Sequence, residues 1–271
     1  MDVGRNRLRE LRRTAKRLLH PHVGFESGWR FGAATNWTRV GTPSASHSTD
    51  NPLMNYFMTH DTGPGIWKWL HYFDVYHRHL QKFRGKELNI LEIGIYSGGR
   101  LAMWRDYFGP GATIYGVDIE PTCAVYANAW TRVFIGDQGD RQFWRAFKAQ
   151  TPAMDVVIDD AGHQANQQIV SLEELLPAMN DGGIYICEDI HGTRNRFASF
   201  VYGLADRLNG ATAVADLDNA ERRLSVEATG IQCLIKNVSL CPFVAVSGAD
   251  VRPGFRIRCA ETWTEWQPFL R

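Results

Sequence analysis

No stretch of this 271-residue chain approaches the roughly 18 uninterrupted apolar residues of a membrane span, and its first residues lack the apolar core of a secretory signal. Cysteine is scarce. The five residues, Cys123, Cys187, Cys233, Cys241 and Cys259, are odd in number, far apart and form no C-x-x-C. That pattern offers neither a disulfide framework nor a zinc knuckle and leaves reduced, buried thiols as the expectation. There is no H-x-D or H-x-E, so the two-histidine, one-carboxylate iron site of a hydroxylase is not offered. There is no G-x-G-x-x-G either, and with it goes the fingerprint for a dinucleotide pyrophosphate. Nor is there a large net charge: the formal value is +1. No nucleic-acid partner is expected. A cytoplasmic location is expected. What is present is a 44% apolar composition, enough to bury a full core.

The small net charge hides an asymmetry. Residues 5–19, RNRLRELRRTAKRLL, carry seven Arg or Lys against one Glu. Leu8, Leu11, Ala15, Leu18 and Leu19 recur at helical spacing, so the segment predicts an amphipathic helix with a cationic face. Such a helix suits peripheral contact with an anionic membrane surface or docking on a partner, and a solvated arm is the plain alternative. Pro21 ends it, and residues 22–53 read as a connector rich in Gly, Ser, Thr and Asn. The expected division is residues 1–53 as basic helix and connector, 54–237 as a catalytic domain and 238–271 as a C-terminal extension. A homo-oligomer is expected.

From Trp67 to Phe83 apolar residues return at helical intervals, predicting a helix stopped by Gly85. Apolar runs then alternate with helical segments: strands over 88–96, 113–119, 133–137, 154–160 and 183–190, with helices ending at Phe108 and spanning Gln164 to Met179. Continuous apolar strands of this kind imply a parallel sheet covered on both faces. Residues 224–227 and 231–237, joined by ATG, add a closing antiparallel hairpin. The fold class is α/β: a doubly wound, Rossmann-like, mostly parallel seven-stranded sheet.

The first strand runs into Glu92-Ile-Gly94-Ile-Tyr96-Ser97-Gly98-Gly99. Glycines there let the backbone turn tightly and approach a ligand. Asp118, twenty residues after Gly98 at the end of the second strand, is placed to accept ribose hydroxyls, and Asp137 and Gln138 end the third strand near where an adenine would sit. Glu92 would repel a pyrophosphate but suits the cationic amino group of an amino-acid moiety. S-adenosylmethionine has that group and no phosphate, so it is favoured over NAD. The cofactor-binding set is Glu92, Gly94, Tyr96, Ser97, Gly98, Asp118, Asp137, Gln138 and Asp160.

Twenty-eight residues separate Asp160, in VVIDDAGHQ, from Glu188-Asp189, in GGIYICEDI. Carboxylates ending two successive parallel strands face one crevice. Asp160, Glu188 and Asp189 are hard oxygen ligands, suited to Mg²⁺, Mn²⁺ or Ca²⁺, with Mg²⁺ as the default. Adjacent side chains on a strand point to opposite faces, so Glu188 and Asp189 reach one ion only if the strand has ended at Glu188. His163, just past Asp160, is the candidate base for a hydroxyl attacking a methyl group. Trp67, Trp69, Trp104 and Tyr107 are candidates to stack on an acceptor ring, though aromatics at helical spacing are more often core.

Five motifs in order, LEIGIYSGG, IYGVDIEP, FIGDQGD, IDDAGHQ and CEDIH, make residues 54–237 resemble the metal-dependent sugar O-methyltransferases of the macrolide type, with the related methyltransferases of glycolipids and methylated mannose polysaccharides. The resemblance implies that Asp160, Glu188 and Asp189 bind Mg²⁺, that His163 is the base, with Asp160 beside it, and that Asp118 and Asp137 hold S-adenosylmethionine. It also implies a sugar hydroxyl as acceptor. Catechol O-methyltransferase is similar in metal spacing but has Lys where His163 stands. Arg100 departs from the family pattern, which has Ser after the glycine turn. Two other readings stay open: an NAD-dependent dehydrogenase, and a non-catalytic cofactor-binding scaffold.

Overall fold

The computed structural model describes residues 25–31, 34, 50–192, 194–213 and 255–258. The chain divides into two compact units, Met1–Ala45 with Val246–Arg252, and Ser46–Ala245 with Pro253–Arg271. In the first, residues 25–31 form a short helix, α1, carrying an exposed Glu26–Arg30 pair one turn apart. This helix lies within the segment 22–53 read as a connector. The basic segment 5–19, the hairpin at 224–237 and the tail after residue 258 lie outside the described residues.

In the second unit, helix α2 (Pro52–Thr59) starts where Asn51 accepts from the Leu53 and Met54 amides and Pro52 supplies a preset φ at the first helical position. Strand β1 (Ile66–Trp69) follows, then helix α3 (Leu70–Leu80). The predicted helix from Trp67 thus begins one strand late. β1 alternates buried and half-buried residues, a period of two, and pairs antiparallel with β7 (Phe255–Arg258), so Lys68 lies opposite Arg256. The C-terminal extension thus supplies a strand that the sequence pattern did not reveal.

The central sheet has five parallel strands: β2 (Leu88–Ile93), β3 (Ala112–Asp118), β4 (Thr131–Ile135), β5 (Val156–Asp159) and β6 (Ile184–Cys187). Their order is β4-β3-β2-β5-β6. The chain winds outward from β2 through β3 to β4, then returns to β5 on the other side of β2, which puts a crevice at the carboxyl ends where the order reverses. Five parallel strands agree with the sequence; a seven-stranded sheet is not seen among the described residues. Helix α4 (Gly99–Phe108) follows β2, α5 (Arg141–Gln150) follows β4, α6 (Ala165–Leu175) follows β5 and α7 (Arg196–Ala213) follows β6.

Alternation along β2 sorts the core into two layers. Ile90 packs with Phe57, Phe73, Tyr76 and Trp104 from α2, α3 and α4. Leu91 and Ile93 pack on the opposite face with Trp144 and Phe147 from α5 and Leu175 from α6. Trp104 and Trp144 are wholly buried. Trp104 and Tyr107, two of the candidate stacking residues, are therefore core.

Candidate active site

The carboxyl ends of β2, β3, β4, β5 and β6 enclose a cavity of about 470 Å³, within the range of small-molecule sites. Gly94, Tyr96, Ser97, Asp118, Asp137, Gln138, Asp160, His163 and Asp189 line it, joined by Trp67 and Arg100. Residues from five separated sequence motifs thus meet in one place. Three of them, Tyr96 (φ 51°), His163 (φ 48°) and Asp189 (φ 51°), are non-glycine residues in the left-handed region. Such backbone is costly and concentrates at sites where function requires it.

On the cofactor side, Asp118 is buried. Its Oδ2 accepts from the amides of Ile95 and Tyr96, at 2.8 and 3.0 Å, and its Oδ1 from the Glu120 amide. One carboxylate therefore fixes the turn after β2 while facing the cavity. Ser97 donates to the Gly65 carbonyl at 2.6 Å and anchors the same turn to the segment before β1. Asp137 accepts from the Gly139 amide. Gln138 is buried and bridges three elements: its amide nitrogen donates to Asp159 and Ser171, and its oxygen accepts from the Gly162 amide at 2.6 Å. That last bond holds the loop that carries His163.

Two expected cofactor residues do not line the cavity. Glu92 lies on the Ile90 face of β2, where the alternation of the strand aims it at α4. It is wholly buried, 2.6 Å from Arg100 Nε, and accepts from the Trp104 indole. Burial raises its pKa, opposed by the charges of Arg100 and Lys68. Gly98 caps α4 in the left-handed region (φ 76°), packed against the Tyr126 ring. Its part is in the turn, not in the lining.

On the acidic side, β6 ends at Cys187, so Glu188 and Asp189 are free of strand alternation, as the metal reading requires. Asp160, His163 and Asp189 each offer one ligand atom, and these atoms lie within 4.8 Å of one another. His163 Nε2 is 3.7 Å from Asp189 Oδ2 and 4.0 Å from Asp160 Oδ1. His163 Nδ1 is buried with no hydrogen-bond partner among the described residues. Burial lowers the His163 pKa, partly offset by the Asp189 charge, which keeps the imidazole neutral near pH 7. Glu188 is turned deeper: it accepts from Lys68 and from the Tyr76 hydroxyl.

A second layer, unread in the sequence, holds these carboxylates. Lys68, 2% exposed, donates to Asp160 Oδ2 at 2.8 Å as well as to Glu188. Burial and the nearby Arg100 charge pull the Lys68 pKa down to about 8, with Glu188 and Glu92 opposing, so it stays charged at neutral pH. Arg100 donates to Asp160 Oδ2 and to the Gly94 carbonyl. Tyr72 donates to Asp189 Oδ1 at 2.7 Å. Arg100 thus joins Glu92 to Asp160. The missed signals were a lone cation between Trp67 and Trp69, and Tyr72 and Tyr76 one turn apart on α3. Both were absorbed into an aromatic helical periodicity.

The donor set suits a hard divalent cation, since carboxylate oxygens from Asp160 and Asp189 face one point beside an imidazole. Among the described residues no helix is long and apolar enough to cross a membrane.

No family model matches the chain. It is 34% identical over 133 residues to an 8-demethyl-8-(2-methoxy-alpha-L-rhamnosyl)-tetracenomycin-C 3'-O-methyltransferase of Streptomyces olivaceus, covering 46% of this chain and 33% of that one. It is 36% identical over 132 residues to demethylmacrocin O-methyltransferase of Streptomyces fradiae, with the same coverage. To mycinamicin VI 2''-O-methyltransferase of Micromonospora griseorubida it is 34% identical over 129 residues, covering 45% of this chain and 32% of that one. The chain thus spans about a third of the length of the curated relatives it matches. Among solved structures it is similar to the MycE methyltransferase from the mycinamycin biosynthetic pathway, in complex with Mg and SAH. The TM-score is 0.51 at 26% identity, over 59% of this chain and 45% of that one. By sequence and by fold together, this chain is similar over part of its length to O-methyltransferases that act on tetracenomycin, macrocin and mycinamicin compounds.

Proposed function

We propose that this protein is a divalent-cation-dependent O-methyltransferase that moves a methyl group from S-adenosylmethionine to a sugar hydroxyl of a glycoside, oligosaccharide or glycolipid. The observation that carries the reading is that one cavity is lined both by the Asp118-braced turn and by Asp160, His163 and Asp189. Asp118, Asp137 and Gln138 would hold the nucleoside, while Tyr96, Ser97 and the Gly94 backbone flank its amino-acid end. Asp160 and Asp189, with Glu188 behind them, would hold the cation. Bound there, the cofactor supplies an electrophilic methyl and the cation a Lewis acid for the acceptor oxygen.

The chain's own part is to bring the hydroxyl into line and take its proton. His163, neutral at pH 7, accepts that proton, and with Nε2 turned toward Asp160 and Asp189 the resulting imidazolium is stabilised by two carboxylates. Trp67, half-buried beside Tyr96 at the cavity wall, offers an aromatic edge to a sugar ring. A cytoplasmic location, a homo-oligomer and membrane contact through residues 5–19 belong to the same proposal.

Calorimetry with S-adenosylhomocysteine and with NAD tests the cofactor, and methyl transfer to glycoside acceptors with and without EDTA tests the reaction. S-adenosylhomocysteine binding together with EDTA-sensitive transfer is expected. NAD binding in its place would turn the reading to a dehydrogenase, and binding without any transfer to a scaffold.

A further inference from the structure

Around the acidic cluster stand four carboxylates, Glu92, Asp160, Glu188 and Asp189, and two buried cations, Lys68 and Arg100. By formal charge the balance is two negative, the charge of one divalent ion. The two cations are placed differently. Arg100 is shared between Asp160 and Glu92, which faces away from the cavity. Lys68 bridges Asp160 Oδ2 and Glu188 Oε2, two of the three groups that the metal reading uses. Its ammonium sits between two carboxylates as a metal ion would, with the Tyr72 and Tyr76 ring centroids each 5.8 Å away. The oxygens left facing His163 are Asp160 Oδ1 and Asp189 Oδ2.

We propose that Lys68 is a resident cation of the metal site: it neutralises one carboxylate charge, limits the cluster to a single divalent ion and keeps that ion loosely held. The inference rests on the metal reading above and gives Lys68 a positioning role, since it acts through Asp160 and Glu188. β1 has the geometry for it. The strand presents Lys68 inward and Trp67 to the cavity, so one short element sets the charge behind the cation and the wall beside the acceptor. A loosely held ion leaves coordination positions for acceptor oxygens to complete.

The test is Mn²⁺ binding, by calorimetry and electron paramagnetic resonance, to the full chain, Lys68→Met and Lys68→Arg, each with S-adenosylhomocysteine affinity measured beside it. Wild type should take one Mn²⁺. Lys68→Met should bind Mn²⁺ at least about tenfold tighter or take a second ion, because a unit charge in contact with two ligand groups is felt strongly even at an effective dielectric of about 20. Lys68→Arg, which keeps the charge, should stay within about threefold of wild type. Unchanged or weaker Mn²⁺ affinity in Lys68→Met with intact S-adenosylhomocysteine binding overturns the proposal, as does equal tightening in Lys68→Arg. No Mn²⁺ binding by wild type overturns the metal reading itself. Should Lys68→Met lose S-adenosylhomocysteine binding, wild-type chain labelled with ¹³C-lysine decides: Mn²⁺ must broaden the Lys68 side-chain signal before any other lysine, and its failure to do so rejects the assignment.

Discussion

His163 sits where two requirements meet: a base must be neutral at working pH, yet the charge it gains must be tolerated. Burial supplies the first by lowering its pKa, and the Asp160 and Asp189 oxygens at 4.0 and 3.7 Å supply the second. Because the pKa is depressed, kcat/KM should rise with pH through a value below 6.5 and be flat above it. His163→Ala should lower kcat by roughly 10²- to 10⁴-fold. It should leave Mn²⁺ affinity within a few fold if the imidazole is a base; loss of Mn²⁺ binding in that variant would make it a ligand. Asp118 carries two tasks at once, so Asp118→Asn should weaken S-adenosylhomocysteine binding by at least tenfold in calorimetry: the Oδ2 position that accepts two backbone amides would lose acceptor capacity. Both residues were legible as strand-end groups. Lys68 was not, because a lysine among aromatics reads as a solvated interruption until the partners 92 and 120 positions away are known.

The turn from β2 into α4 is the element on which the cofactor side depends. At Gly94 (φ 93°) a side chain would run into the Asp160 carbonyl, which is backbone and cannot step aside. Gly94→Ala should therefore cost more stability than the roughly 1–2 kcal/mol of left-handed backbone alone and weaken S-adenosylhomocysteine binding as well, measured by urea unfolding and calorimetry. By contrast Phe147→Ala, on α5 away from the cavity lining, should cost about 3–5 kcal/mol while leaving S-adenosylhomocysteine affinity in the surviving folded fraction unchanged. The five strands were legible as apolar runs, each bound within three residues, because a parallel strand buried on both faces leaves a continuous signature. β1 was not. Four residues of alternation joined without a break to a helix are too short for a period to show, and its pairing with β7 spans nearly 190 positions.

For the molecule as a whole, stability should depend on pH through Asp159. This wholly buried carboxyl, held by Tyr185 at 2.7 Å and Gln138 at 3.0 Å, has its pKa pushed up by burial to about 6. The native state then keeps a proton that the unfolded chain releases above about pH 4, so this contribution is full below that value and is lost as pH rises through about 6. Urea midpoints should fall across that window, by up to about 3 kcal/mol of unfolding free energy from this group, and the fall should shrink in Asp159→Asn. The sequence by itself determined the parallel α/β sheet, the direction of its crevice and the acidic strand ends Asp118, Asp137, Asp160, Glu188 and Asp189, because each follows from periodicity and from where strands stop. Only the tertiary structure decided which of those groups face the cavity and what charge stands behind them. Strand alternation turned Glu92 toward Arg100, and β1 carried Lys68 between Asp160 and Glu188. Electrostatic partners are set by distance in space, which local sequence does not encode.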